Sequence, residues 1–432
     1  MSHPSSTELG PRMHALAADL YPICRSITGD GVRQTLARLA FEIPLEIHEV
    51  SSGTEVFDWT VPEEWNIRAG WIKDAAGNTI VDFANHNLHV LGYSTPIHEK
   101  VSLAELKQHL FSLPDQPELI PYRTSYYKKN WGFCVPHRLV ESLADGEYEV
   151  FIDSDHKQGS LTYGELFIPG TTTEEVLISS HVCHPSLAND NLAGNAVAVE
   201  LAKHLASAPR RISYRFLFVP GTIGSIAWLA RNEDKTAHIK HGLVITCAGD
   251  AGRVTYKETR DGNAPIDRAM KHVLKTSGED HRIAPFHPYG YDERQYSSPG
   301  FALAIGGLMR SQHGTFPEYH TSADNLDFIK PDKMADTLDK AIQTIEVLEN
   351  NASYLNLKPK CEPRLGKYGL YGGGGGQRSG DFDELALLWV LNQSDGTKDL
   401  LAIAERAGMS FRKILIAAHA LEGAGLLRKE EP

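Results

Sequence analysis

From about residue 160 the chain alternates short apolar runs with stretches of helical periodicity, and this alternation restricts its fold more than any other feature. LTYGELFI, VLISS, RFLFV (215–219), GLVITC (242–247) and FALAIG (301–306) read as strands. Residues 191–207, SIAWLARN (225–232) and PIDRAMKHVLKTSG (265–278) read as helices, and residues 332–355 as a long final helix. Strands separated by helices are joined by crossovers, so the pattern predicts an α/β fold with a mainly parallel, mixed sheet flanked by helices. In such sheets chemistry gathers at the carboxyl ends of the strands.

The rest of the chain departs from that pattern. Residues 8–40 carry helical periodicity. GWIKDAAGNTIVDF (70–83) and HNLHVLGYS (86–94) are short alternating runs, with Ala76-Gly77-Asn78 as a hairpin turn, so residues 55–155 read as an inserted β-rich domain. The flanking segments, 1–54 and 156–370, then form the α/β domain. Gly372 to Gly376 are a pentaglycine run, which predicts a linker or flexible loop. Beyond it, FDELALLWVLN, LLAIAERAG and SFRKILIAAHALEGAGLL suggest three short helices, a winged-helix pattern over 378–432.

That pattern commonly reads DNA, but charge argues otherwise here. From residue 378 there are seven Lys and Arg against nine Asp and Glu, and the third helix offers only Arg412 and Lys413. A DNA reader needs a basic face. The whole chain, 432 residues with a formal charge of −12, also lacks an electrostatic grip on nucleic acid or an anionic membrane. The C-terminal module is therefore expected to dock or dimerise, with a homo-oligomer as one outcome. The five cysteines are odd in number and widely spaced, without C-x-x-C. Together with an N-terminus unlike a signal peptide and no long apolar run, they predict a cytoplasmic protein.

The stretch SHVCHPSLANDNLAGNA (180–196) follows the apolar run Val176-Leu177-Ile178 and sets His181, Cys183, His184 and Asp190 within ten residues. Imidazoles and a carboxylate at a strand end suit a borderline-soft divalent metal such as zinc. Four more pieces fall at expected strand ends: PGTIGS (220–225); CAGD, ending in Asp250; YGYDERQYSSPG, with Asp292, Glu293, Arg294 and Tyr296; and PEYHTSADN, with Glu318, His320 and Asp324.

Taken in this order, the motifs resemble zinc aminopeptidases of the bacterial leucyl aminopeptidase and glutaminyl cyclase type. The whole chain resembles a less characterised aminopeptidase-like family. It shares that family's LYPICRSITGDGVR opening, DW-x-VP-x-EW β insert, HVCHPSLANDN, DERQY and PEYHTS motifs and C-terminal winged helix, and the family occurs in polysaccharide or natural-product biosynthesis settings. The resemblance implies that His181 is the first metal-ligating His, Asp190 the shared Asp, Asp250 the third-position Asp and His320 the last His. It also exposes departures. Cys183 stands where the peptidases carry a supporting Asp, and Gly221 and Thr222 stand where a Glu-Glu pair supplies the general base and a ligand. One zinc ion is therefore expected rather than two.

His184 has no counterpart in the peptidase motif, and is a replacement ligand, a residue that holds metal-bound water, or a supporting or capping residue. Glu318 is the first substitute base, since alternation in an extended segment would point it the same way as His320; Glu293 is second. Arg260, Asp292, Arg294 and Tyr296 are candidates for binding substrate. The reaction expected is cleavage of an amide bond in a small peptide or acyl-amino substrate. Metal-assisted acyl transfer or cyclisation, and a degenerate binding protein, are the alternatives.

Overall fold

The computed structural model describes residues 6–370 and 383–430; the pentaglycine run 372–376 lies outside them. By its contacts the chain divides into two compact units, residues 1–262 with 284–338, and residues 263–283 with 339–432. No helix among the described residues is long and apolar enough to cross a membrane.

Seven strands of an eight-stranded sheet lie in the first unit, and the edge strand His281–Ala284 falls at the boundary between the two residue sets. The sheet's strands are β1 (Glu46–Ser51), β2 (Ser160–Ile168), β3 (Glu175–His181), β4 (Ser213–Val219), β5 (Ile239–Ile245), β6 (Val254–Lys257), β7 (His281–Ala284) and β8 (Ile305–Met309). Their spatial order is β1-β2-β4-β3-β5-β8-β6-β7. The centre, β4-β3-β5-β8, is parallel, whereas β1 and β2 on one side and β6 on the other run antiparallel. Every residue of β3 and β4 is buried, as expected of parallel strands covered on both faces. The two serines of β3 are satisfied there: Ser179 Oγ lies 3.0 Å from the Tyr296 hydroxyl, and Ser180 donates to the Ile245 carbonyl at 3.2 Å.

Helices α1 (Ser6–Leu20), α2 (Asp30–Ala40), α3 (Gly194–Ala206) and α4 (Ile223–Arg231) belong to this unit. Small residues in GNAVAVELA allow α3 to approach the sheet closely, and Gly194 through Ala202 are all buried. At Gly194 the approach is tightest, since a Cβ there would stand 2.2 Å from Asn191 Oδ1 and 2.7 Å from the Ile245 carbonyl oxygen.

Within the same unit, residues 64–157 supply an antiparallel four-stranded sheet in the order Thr79–Asp82, Glu64–Lys73, Glu147–Lys157, Ile97–Ser102. The expected turn at Ala76-Gly77-Asn78 is present. Asp74 Oδ1 accepts the Ala76 and Asn78 N–H groups, and Gly77 takes a left-handed φ of 86°. Residues 86–94 are not a strand. His86 accepts the Leu88 N–H and caps a short 3₁₀ turn at Asn87–His89.

Two further expectations are corrected. FALAIG begins too early, because Ala302 donates to the Ser298 carbonyl in a turn and β8 starts only at Ile305. The helix expected over 332–355 spans Pro331–Asn350, and Ser353–Asn356 is a strand. In the second unit that strand is the middle of a three-stranded sheet, between Asp395–Asp399 and Leu427–Lys429. Helices Glu384–Gln393, Leu400–Ala407 and Phe411–Gly423 complete the module, which thus draws on chain upstream of residue 378.

The central strands are also tied by charge. Arg215 on β4 meets Glu175 on β3 with two bonds of 2.7 and 3.0 Å and also reaches Glu165 on β2, all three side chains being buried. Glu165 in turn accepts the Trp228 indole N–H at 2.9 Å. Removing one partner of a buried ionic set leaves charge uncompensated, which typically costs ~3–5 kcal/mol. Arg215→Ala should lower the unfolding free energy by about that much in urea titrations. A loss below ~1 kcal/mol, the range of exposed pairs, would mean the trio contributes little.

Candidate metal centre

The site forms where β3 ends. His181 is the last residue of β3, paired in register with Val219 of β4. Nine residues later Asp190 lies in an irregular turn, Ala188–Ala193, that precedes α3 and in which Asp190 and Asn191 leave helical φ/ψ. The two asparagines flanking Asp190 fix this turn to the sheet. Asn189 Oδ1 accepts the Gly249 and Asp250 N–H groups, at 2.8 and 3.2 Å. Asn191 donates to Ser180 Oγ at 2.9 Å and to the Ile245 carbonyl at 3.2 Å, and accepts the Cys247 N–H. Beneath the turn, the buried carboxyl of Asp324 accepts the N–H groups of Asn189 and Asp190 at 2.6 and 3.0 Å. Burial pushes Asp324 up to about 8 despite those bonds.

Three imidazoles converge on the Asp190 carboxylate. His181 Nε2 lies 2.8 Å from Oδ1; His320 Nε2 lies 3.0 Å from Oδ2, and His184 Nε2 3.9 Å from the same oxygen. His181 and Asp190 are wholly buried and His184 nearly so. Burial alone would raise the Asp190 carboxyl, but the surrounding imidazoles outweigh it and hold the group well below its ordinary value. Burial pushes His184 well below its ordinary value, towards the neutral form that can ligate a cation. The ligating atoms of His181, His184 and Asp190 all lie within 4.8 Å of one another. This donor set, nitrogen with one carboxylate, fits zinc.

His320 reaches the cluster from a turn rather than from an extended segment. Its backbone is left-handed, φ 56°, an uncommon conformation for a residue with a side chain. Its carbonyl accepts the Tyr122 N–H at 2.8 Å, and its ring stacks on Tyr319. Since residues 317–320 are a turn, the alternation that would have aimed Glu318 beside His320 does not exist. Glu318 is half-buried, and its carbonyl accepts the N–H and hydroxyl of Thr321 at 3.1 and 2.8 Å.

Other expected residues are placed differently. Asp250 is not brought to the imidazoles: its oxygens accept from Asn189 Nδ2, the Gly252 and Ser311 N–H groups and Ser311 Oγ, at 2.7–3.1 Å. Glu293 is buried against Lys257 at 2.7 Å and accepts the Tyr291 N–H, so it is not a free base. Tyr296 is a core residue, against Ser179. Asp292 accepts the Ser225 hydroxyl at 2.7 Å, and burial pushes its carboxyl up to about 6. Arg260 is exposed, and neither it nor Arg294 lines the cavity over the cluster.

That cavity, about 290 Å³, is walled by Tyr122, Tyr126, His184, Tyr291 and His320, with exposed Arg123 at its edge. Tyr291 occupies the decisive position. A Cβ on Gly221 would stand 2.0 Å from its Cε1 and 2.8 Å from its hydroxyl. The phenol thus fills the space that a side chain at 221 would need. Its ring stacks on His181 with centroids 3.7 Å apart, and its hydroxyl lies 3.3 Å from Cys183 Sγ and 3.5 Å from His184 Nδ1. Burial raises the Tyr291 phenol well above its ordinary value, so its hydroxyl stays protonated and can donate a hydrogen bond. Burial likewise pushes the Cys183 thiol up to about 12, which excludes a resting thiolate nucleophile. Tyr291, Tyr122 and Tyr126 were not singled out from the sequence. Gly221 was the one available signal, since a missing side chain in a closed site has to be filled from elsewhere.

The sequence pattern of a family described as a domain of unknown function, DUF4910, matches residues 14–351, and that of a winged helix-turn-helix matches residues 352–429. The chain belongs to the DUF4910 family. A Clostridium acetobutylicum protein, provisionally named for polysaccharide biosynthesis with an aminopeptidase-like domain, is 51% identical over 424 residues and covers 98% of both chains. A solved structure from C. acetobutylicum, provisionally named a peptidase, is 50% identical with a TM-score of 0.93, covering 98% of this chain and 97% of that one. A zinc aminopeptidase from Bacillus subtilis shares the fold at 14% identity and TM-score 0.60, covering 81% of this chain and 96% of its own. This DUF4910 member thus combines an aminopeptidase-like α/β fold with a winged helix.

The steric fit at Gly221 is testable. Overpacking a closed site typically costs ~1–3 kcal/mol, so Gly221→Ala should destabilise the protein by about that amount. In a Tyr291→Ala background most of the penalty should vanish, because the clash has been removed. Additive losses in a double-mutant cycle of unfolding free energies would show that the two residues do not compete for space.

Proposed function

We propose that the protein is a zinc-dependent amide hydrolase of aminopeptidase-like design acting on a small substrate. The observation that carries this reading is the convergence of His181, His184 and His320 on buried Asp190 beneath a small cavity. These four residues would hold the ion, and zinc so held supplies Lewis-acid polarisation of a carbonyl and a lowered pKa for water. The protein's own contribution is donation and placement. The Tyr291 hydroxyl, held protonated, can donate to negative charge developing on the substrate oxygen. The Tyr122 and Tyr126 hydroxyls, 2.7 Å apart, form a polar wall, and Arg123 at the edge can receive a substrate carboxylate or phosphate.

No carboxylate lines the cavity among the described residues. This favours a substrate that brings its own proton acceptor, such as a free amine beside the scissile amide. The same observation supports a second reading, acyl transfer or cyclisation, in which that amine is itself the nucleophile. The relative's name makes N-acyl amino sugars natural first substrates beside short peptides.

Zinc at ~100 times its Kd should stabilise the metal-free protein by ~2.7 kcal/mol. Asp190→Asn should weaken zinc by more than the ~10–100-fold typical of residues that only orient ligands, and should abolish amide turnover. Zinc that neither binds nor stabilises the wild-type protein would refute the reading.

For the winged helix we propose docking rather than DNA recognition. Arg412 and Lys413, the basic residues at the start of helix Phe411–Gly423, are paired with Glu346 at 2.9 Å and Asp383 at 3.4 Å. Fluorescence anisotropy with random-sequence duplex at low salt should show no binding by the full chain. Sequence-selective binding would overturn this part of the proposal.

A further inference from the structure

A second donor set meets Asp190 through residues that no motif singled out. Cys247 and His313 are buried, and their ligating atoms together with an Asp190 oxygen all lie within 4.8 Å of one another. Cys247 stands two residues beyond the end of β5, in a left-handed conformation with φ 44°. Its N–H is held by Asn191 Oδ1 at 3.2 Å, and its carbonyl accepts the Arg310 N–H at 2.9 Å. The asparagine that fixes the Asp190 turn therefore also fixes Cys247. His313 is oriented by Thr246 Oγ1, 3.1 Å from its Nε2, the kind of outer contact that sets a ligating imidazole. The Tyr291 ring stacks against both His181 and His313, so one phenol borders both donor sets.

We propose that Cys247 and His313 hold a second metal ion, which shares Asp190 with the ion assigned to His181. The donor set is sulfur, nitrogen and oxygen, which selects a borderline-soft cation such as zinc and discriminates against magnesium and calcium. The site would replace, with residues from the loops after β5 and β8, the ligand lost at Thr222. It rests on the reading that Asp190 binds metal, and it changes the expected stoichiometry from one ion to two.

The test uses metal-free full-length protein titrated with cobalt(II) and, separately, with zinc. A thiolate ligand gives cobalt an intense sulfur-to-metal charge-transfer band in the near ultraviolet, which nitrogen and oxygen ligands do not. The wild type should take up two zinc equivalents and show the band. Cys247→Ser, nearly isosteric, should lose the band and one equivalent while keeping the other. Cys183→Ser, which alters the other buried thiol near Asp190, should keep both ions and the band. If the Cys247 variant does not fold, the Cys183→Ser spectrum decides: a band that persists there supports Cys247, and a band lost there overturns the proposal. One equivalent without a charge-transfer band overturns the second site and leaves the first intact, whereas no uptake of either metal overturns both. A band that survives Cys247→Ser and disappears in Cys183→Ser would assign the sulfur to the wrong residue and sink the proposal.

Discussion

The Asp190 carboxylate is the feature around which the first unit is organised. An ionised carboxylate with no solvent exposure is tolerated only when positive or hydrogen-bonding groups surround it. Here they come from separate places: the end of β3, the loop after it, and a turn 130 residues further on. Such an arrangement requires the backbone beneath Asp190 to be immobile. Asn189 and Asn191 lock it to β3 and β5, and Asp324 takes two of its N–H groups. Close packing of α3 at Gly194 keeps Asn191 in place. The sheet order follows the same need, since β3 and β5 are neighbours and their carboxyl ends supply the anchoring groups.

The departure at Gly221 is a replacement and not a simple loss. The volume vacated by a side chain is filled by Tyr291, brought in by a loop that Glu293 and Lys257 fasten through the Tyr289 carbonyl and the Tyr291 N–H. A phenol kept protonated by burial cannot do the work of a carboxylate base, but it can stabilise an oxyanion. Under the proposed amide hydrolysis, proton removal would then fall to the substrate. The replacement also gives Glu293 a structural task, which explains why an acid at the expected rim is neutralised by a buried lysine.

Much of this was legible in the sequence where the determinants are local. Apolar runs with intervening helical periodicity marked the parallel core, and DNLAG next to a strand end located His181 and Asp190. Ala76-Gly77-Asn78 marked their hairpin turn, which the structure closes with Asp74 capping and a left-handed Gly77. What could not be read depends on distant chain segments. Glu318 and His320 lie two apart, but a turn cancels the alternation that would have paired them. Asp250 stands in the expected motif, yet Ser311 and Asn189 occupy its oxygens. Cys247, three residues earlier, is the group that reaches Asp190. Strand Ser353–Asn356 was absorbed into a helical pattern because its pairing partners lie some 40 and 70 residues downstream.

The four-stranded sheet within residues 64–157 matters to the site through a few contacts at its loops. The Tyr122 N–H holds the His320 carbonyl, which helps keep that residue in its uncommon left-handed conformation and its imidazole on Asp190. Tyr122 and Tyr126 then wall the cavity, so the segment that supports a ligand also limits what can reach it. At about 290 Å³ the space is at the lower edge of ordinary small-molecule sites. A space of that size admits a small molecule, not a folded polypeptide. Cavity size and the placement of His320 are therefore coupled: widening the cavity by truncating Tyr122 would also loosen the histidine proposed to hold the ion.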